Sequence, residues 1–318
     1  MNKRICVIGG GYWGKNHIKT LFAMNALGAV VDSSETCLNT ISAQYRIKTF
    51  SNIDDTFQTQ FDGYVIATPA ETHYAIAKKL LTHKCNVLIE KPFTLSSDDS
   101  QELIDLAQKN DVNLMVGHLM LFHPAITKIK TVMESGRIGE IRYLYSNRLS
   151  FGIVRTNENI LWSFAPHDIS IMNFLAGSSC ETEQITARGT KILQSNIDDT
   201  VVAHLVYPGN IHAHFFVSWL HPFKEHRLVV IGSKGMIVYE DSSAQKDILL
   251  YNRYFNMQDG FPMKNDAPDE IIDYDRSMPL ENELKYFIQT LDDHAKIADG
   301  ISGHGVVTTL EKIQSLLD

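Results

Sequence analysis

Short apolar runs alternate with amphipathic stretches over the first third of the chain. Residues 5–8, after Arg4, form a continuous apolar strand pattern, residues 17–27 repeat Ile18, Leu21, Phe22 and Leu27 at helical spacing, and Gly28-Ala-Val-Val-Asp32 reads as the next strand. The alternation continues with a helix at 37–45, a strand at 63–67, a helix at 73–83 and a strand at 86–90. A helix at 97–109, opened by Ser-Ser-Asp-Asp cap chemistry, leads to a strand at 113–117. Strands that alternate with helices in this way predict a doubly wound parallel sheet.

Beyond His118 the pattern changes. A helix at 124–135 precedes β-rich runs at 141–146, 200–207, 212–219, 227–231, 236–240 and 248–251. Turn sequences such as Pro208-Gly209-Asn210 and Gly232-Ser-Lys-Gly235 join some of them, which predicts hairpins in a large, mostly antiparallel open sheet. Helices are expected at 165–175, 280–291 and 306–317, and residues 256–278, rich in Pro, Asp, Gly and Asn, read as a long loop. The expected fold is therefore an α/β Rossmann domain with a parallel sheet over residues 1–118, followed by an α+β domain over 119–318 that binds substrate and makes oligomer contacts.

Composition narrows the partners. An apolar fraction of 44% suits a globular protein with sizeable cores, and a net charge of -8 without a Lys/Arg run argues against nucleic acid or a membrane surface. The amino terminus passes directly into the first strand, no apolar stretch reaches the roughly 20 residues of a membrane span, and a cytoplasmic location is expected. Cys6, Cys37, Cys85 and Cys180 are scattered without C-x-x-C pairs and read as reduced thiols.

The candidate chemistry begins at Gly9, Gly11 and Gly14, a G-x-G-x-x-G frame placed between the first strand and the first helix. Gly9 allows the tight turn, Gly11 lets the backbone approach a pyrophosphate, and Gly14 lets the helix pack close to the strand. Helix amides then face the phosphates. Asp32, at the end of the second strand, is placed to accept the ribose hydroxyls and to repel a 2′-phosphate, which favours NAD over NADP. Ser33, Ser34 and Arg46 form the alternative, a phosphate pocket.

Lys91 lies at the carboxyl end of a predicted parallel strand, where ligands collect, and Pro92 restricts its backbone. An ammonium there can hydrogen-bond a substrate hydroxyl or stabilise a developing alkoxide. His118 follows the last strand of the first domain and is a substrate-site candidate; its plain alternative is a hinge hydrogen bond. His212 and His214 share a strand face, but no further ligand completes a shell, and no metal is expected.

Gly9 to Gly14, Ala67-Thr68-Pro69 with His73, Glu90-Lys91-Pro92 and Gly117-His118 together resemble the Gfo/Idh/MocA oxidoreductases over essentially the whole chain. Ile197-Asp-Asp-Thr200, Ser218-Trp219 and Val230 to Gly235 agree with it. The resemblance implies cofactor contacts at Tyr12, Trp13, Thr68, Pro69, His73, Glu90 and Lys91. It also implies a homodimer or homotetramer formed through the open face of the second sheet. The family's Asp-x-x-x-His pair has its counterpart at Ser163-Phe-Ala-Pro-His167, where the His is kept and Ser replaces Asp. Lys91 and His167 then remain as the catalytic, proton-handling pair, with imidazole a suitable base near neutrality.

The stretches from Ser146 to Gly152 and from Asn159 to Asp168 are most like the family members that oxidise UDP-N-acetylglucosamine at C3. That likeness implies substrate contacts from Asn147, Arg148, Arg155, Trp162 and Asp168 besides Lys91, His118 and His167, and a nucleotide sugar as substrate. Three alternatives stay open: reduction of a keto sugar by NAD(P)H, oxidation of a simple sugar or inositol, and a regulator that binds cofactor and sugar without catalysis.

Overall fold

The structure, a computed structural model, describes residues 3–177 and 182–317, so Cys180 lies outside the described residues. The chain divides into two compact units. One runs through Phe122 and includes Ser277–Val307; the other holds His123–Arg276 and the chain from Thr308 onward.

In the first unit β1 (Ile5–Ile8), β2 (Leu27–Val31), β3 (Lys48–Phe50), β4 (Gly63–Ile66), β5 (Val87–Glu90) and β6 (Leu114–Gly117) form a six-stranded sheet in the order β3-β2-β1-β4-β5-β6. Every pairing is parallel. The crossovers run through α1 (Gly14–Ala23), α2 (Glu35–Tyr45), α3 (His73–Thr82) and α4 (Ser97–Asn110). Strands β1, β4, β5 and β6 are buried at every position, as a sheet covered on both faces requires. Strand order reverses between β1 and β4, and the carboxyl edge at such a reversal is where these folds bind ligands.

The second unit contains α5 (Pro124–Glu134), β7 (Ile141–Phe151), α6 (Ile160–Ala176), β8 (Gln184–Thr190), β9 (Thr200–Tyr207), β10 (Ile211–Ser218), β11 (Leu220–Gly232), β12 (Met236–Glu240) and β13 (Ile248–Tyr251). After these come β14 (Arg253–Gln258), β15 (Phe261–Asp266) and β16 (Glu270–Ile272). Eight of its strands form one sheet in the order β16-β13-β12-β11-β7-β10-β9-β8. The pairing is antiparallel except between β7 and β10, which run parallel because α6 and the β8–β9 hairpin intervene in the chain. On β7, Leu144, Ser146 and Arg148 turn toward the buried side and Tyr143, Tyr145 and Asn147 toward the other.

Residues 256–278 are not the long loop the composition suggested. They form most of the β14–β15 hairpin and all of β16, which pairs with β13. Asp259 and Gly260, both at positive φ, make the two-residue turn, a hairpin signal outweighed in the sequence by strands exposed on both faces.

The carboxyl-terminal helices also depart from a continuous second domain. Helix α7 (Pro279–Gln289) packs on α1, and Val116 N donates to Ala298 O at 2.7 Å, which covers the β6 edge. Helix α8 (Gly300–Leu317) starts six residues before its expected position and is divided between the units after Val307. A Cβ on Gly303 would lie 2.5 Å from Val116 Cγ2, so the glycines that weaken the helix pattern allow its close approach to β6. Asn113 ties the segment down: its amide donates to Thr290 Oγ1 and its carbonyl accepts from Ala295 N, each at 2.9 Å. Replacing Asn113→Ala leaves the buried Ala295 amide without its acceptor, and we expect a loss of about 1–3 kcal/mol in urea unfolding of the whole chain.

Candidate active site

The Gly-rich turn is shaped by close contacts at two glycines. Gly9 has φ +98°, and a Cβ on Gly14 would lie 2.0 Å from Gly9 O. At Gly11 a Cβ would meet nothing within 4 Å, so the backbone there is open to close approach by a ligand. A cavity of about 550 Å³ opens there, lined among others by Gly9, Gly11, Asp32, Thr68, Pro69 and Thr72. Helix α1 has no acidic residue in its first turn, which leaves its amide end suited to an anion.

Asp32 is fixed by two backbone donors, Gly10 N at 2.7 Å and Ser34 N at 2.8 Å, one on each carboxylate oxygen. Each oxygen keeps a further acceptor site. Ser34 Oγ caps α2 by accepting from Cys37 N, and Arg46 is exposed at the far end of that helix. The donor set therefore fits an adenosine ribose beside Asp32, with the pyrophosphate over Gly11 and the start of α1.

His73 and Glu90 brace this edge from behind. The His73 imidazole lies 2.8 Å from Pro92 O and 2.9 Å from Thr68 O, linking the loops after β4 and β5, while Thr68 and Thr72 share a hydroxyl hydrogen bond of 2.7 Å. Glu90, which is buried, accepts from Trp13 Nε1, from His17 Nε2 at 2.6 Å and from Lys91 N at 3.1 Å. Burial pushes the Glu90 carboxyl up, but the His17 and Trp13 hydrogen bonds prevail and hold it below the usual range. Glu90 thus fastens α1 to the strand end that presents Lys91, whose peptide bond to Pro92 is cis. Tyr12 is fully at the surface, 91% exposed.

His118 is buried, with neither ring nitrogen bonded to a described residue. Burial drives its pKa down to about 4 against the opposing charge of Glu90, with the Lys91 charge a smaller contribution in the same direction as burial, so the ring is neutral at physiological pH.

In the second unit, Asn159 caps α6 by accepting from Trp162 N at 3.2 Å, and His167 lies half-buried farther along the helix. Asp168, one position on, is turned about 100° away and is fully buried against the sheet. There it accepts from Arg148 Nε at 2.7 Å, from Arg148 Nη2 at 3.3 Å and from Ser146 Oγ. Arg148 and Asp168 pair with each other and anchor α6 to β7. Asn147 donates to Tyr145 Oη and Glu225 Oε1, both at 2.7 Å, on the face of the sheet opposite to Arg148. Arg155 is half-exposed, 3.7 Å from Glu158, and Trp162 is half-buried.

Two of the later motifs hold one another: Trp219 Nε1 donates to Asp199 Oδ1 at 2.6 Å, and Asp199 Oδ2 accepts from Ile192 N and Leu193 N. His17 and Glu283 escaped the sequence reading. Glu283 carried a signal, a carboxylate on the apolar stripe of α7 with Leu284 and Phe287. Among the described residues no cluster of His, Cys, Asp and Glu suits a metal, and no helix is long and apolar enough to cross a membrane.

Comparison with known proteins defines the class. Residues 3–118 match a family model described as an oxidoreductase family with an NAD-binding Rossmann fold, and residues 126–238 match the GFO/IDH/MocA C-terminal domain. The chain belongs to the Gfo/Idh/MocA family of oxidoreductases and is an NAD(P)-dependent dehydrogenase acting on a CH–OH group. It is 26% identical to the UDP-N-acetylglucosamine 3-dehydrogenase of Acidithiobacillus ferrooxidans, over 99% of this chain and 97% of that protein. An inositol 2-dehydrogenase of Saccharopolyspora erythraea is 28% identical over 63% of this chain and 62% of its own length. A crystal structure of the Acidithiobacillus enzyme shares the fold with a TM-score of 0.86, at 23% identity over 100% of this chain and 98% of that one. The WlbA dehydrogenase of Bordetella pertussis, in complex with NADH and UDP-GlcNAcA, does so with a TM-score of 0.79, at 19% identity over 99% and 96%.

The Asp168–Arg148 pair gives a direct test of anchoring. Removing one partner of a buried ion pair leaves the other charge uncompensated, so Asp168→Ala should cost about 3–5 kcal/mol in denaturant unfolding. A contact used only for substrate would leave the unfolding midpoint unchanged.

Proposed function

We propose that this protein oxidises the C3 hydroxyl of a UDP-linked amino sugar of the UDP-N-acetylglucosamine type, with NAD as the hydride acceptor. The observation that carries the reading is the match along 99% of the chain to a dehydrogenase named for that reaction. Partial-length relatives act on other polyols, which supports the class but not this substrate.

Bound NAD supplies the site that accepts hydride. Asp32 receives the ribose hydroxyls, and its charge, with Ser34 committed to capping α2 and Arg46 outside the cavity lining, favours NAD over NADP. Lys91 donates a hydrogen bond to the reacting oxygen and stabilises the negative charge that develops on it. His167 takes the hydroxyl proton as hydride leaves the carbon. Arg155, with a half-exposed guanidinium, is suited to the diphosphate, and Trp162 to the sugar face. Self-association is assigned to the sheet face that carries Tyr143, Tyr145 and His214.

Lys91→Met and His167→Asn should each lower turnover by about a hundredfold or more while the affinity for NAD stays within a few-fold. The assay is NADH formation on a panel of UDP-sugars, coupled to an aminotransferase that removes the ketone. Full activity in both variants overturns the assignment.

A further inference from the structure

Buried polar atoms without partners gather in one part of the first unit. Among the described residues His17 Nδ1, both ring nitrogens of His118 and both carboxyl oxygens of Glu283 lack a hydrogen bond. Glu283 has no exposed surface. Its helix, α7, packs on α1 and on the short turn at 119–122, where Asn282 Nδ2 donates to Phe122 O at 3.2 Å. Glu283 is therefore buried on a helix that packs both on α1, which carries His17 and reaches Glu90, and on the turn that follows His118.

The two carboxyl groups are supplied unequally. Glu90 takes donors from Trp13, His17 and Lys91 N, whereas Glu283 takes none from the described residues. Burial, with the charge of Glu90 adding to it, holds Glu283 well above the usual carboxyl range. Two carboxyls in one apolar site do not both ionise, and the proton stays on the one without donors. The charge that acts on Glu283 is that of Glu90 at the end of β5; of the elements packed on its helix, α1 carries His17, and residues 119–122 bring no charge. On α7 itself, Glu281 and Lys285 pair with each other at 2.6 Å on the surface, and Tyr286 Oη accepts from Lys296 N.

We propose that Glu283 and Glu90 form a carboxyl pair carrying one proton, held on Glu283, and that the positive ring of an oxidised nicotinamide cofactor drives this proton out to solvent. The inference rests on the cofactor half of the proposed function and on Lys91, the residue next to Glu90, as the group that holds the reacting oxygen. A ring exchanging hydride with that carbinol lies about 3–3.5 Å from it. A positive charge placed near a buried protonated carboxyl favours its ionised form. The O–H bond of Glu283 breaks, the proton passes to the buffer, and no other bond changes. The reduced cofactor, whose ring is neutral, leaves the proton in place. The pair thereby makes affinity for the oxidised cofactor rise with pH and leaves affinity for the reduced cofactor flat.

Calorimetric titration of the whole protein with NAD+ and with NADH, in phosphate and in Tris at one pH, reads the protons released from the difference in heat between buffers. The wild type should release up to one proton with NAD+ and close to none with NADH, and NAD+ affinity should rise by up to about tenfold per pH unit. Glu283→Gln, which keeps the neutral shape, should release close to none with either. Equal release by the Gln variant and the wild type, or equal release with NAD+ and NADH, overturns the proposal. Infrared difference spectra of the wild type need no variant: the C=O stretch of a protonated carboxyl should bleach on NAD+ binding, and a spectrum without that loss also refutes it. Should NAD+ give no heat at all, the cofactor choice fails instead, and the same titrations with NADP+, whose ring bears the same charge, decide the carboxyl pair. No sugar enters these measurements, so an error in the substrate does not affect them.

Discussion

The carboxylate of Glu90 joins two parts of the first unit that must keep their spacing, the helix that follows the Gly-rich turn and the strand end that presents Lys91. Trp13 and His17 reach it from α1 and the amide of Lys91 from its own strand, so one side chain fixes both the phosphate-facing amides and the ammonium. A buried carboxylate with three donors is well placed for this because its desolvation is offset only when all three are present, which makes the arrangement specific. Gly117 leaves room for it: a Cβ there would come within 3.1 Å of the Glu90 carboxyl. His73 repeats the device on a smaller scale, with one imidazole between two carbonyls of neighbouring loops.

The second unit uses the same means for a different end. Asp168 and Arg148 anchor α6 to the central strand β7, while His167 lies on the adjacent flank of that helix. Asp199 gathers two loop amides and the Trp219 indole at the end of β10. Adjacent residues therefore have separate tasks, and a motif match does not tell them apart. Asn147 and Arg148 sit side by side in the sequence on opposite faces of the sheet.

Much of the architecture was legible in the amino-acid pattern. The parallel strands are buried on both faces and so appear as unbroken apolar runs, and each of β1, β2, β4, β5 and β6 falls where those runs predicted it. The glycine frame and Asp32 were equally plain because backbone geometry dictates their spacing. What escaped was set by partners distant in sequence. The three-residue β3 is too short for a periodic signal. The early start of α8 depends on Val116 lying against Gly303, and the pairing of β7 with β10 depends on α6 lying between them in the chain. At the site, the commitments of Arg148 and Asn147 follow from which face each residue takes, and a strand's facing is fixed only once its register is known. Glu283 shows the converse: an acid on an apolar stripe is visible in sequence, but its consequence needs Glu90 beside it.

The return of residues 277–307 to the first unit bears on how the chain is built during synthesis. Strand β6 cannot have its edge covered, nor β4 its packing against Phe287 and Leu291, until the ribosome has passed residues 123–276 of the second unit. The second unit waits as well, because β7 is flanked by strands that begin at Ile211 and Leu220, well after its own last residue, Phe151. Neither unit can close from its amino-terminal end alone. The nascent protein therefore carries two unfinished sheets at once, a topology dominated by non-local contacts that favours slow folding and late commitment.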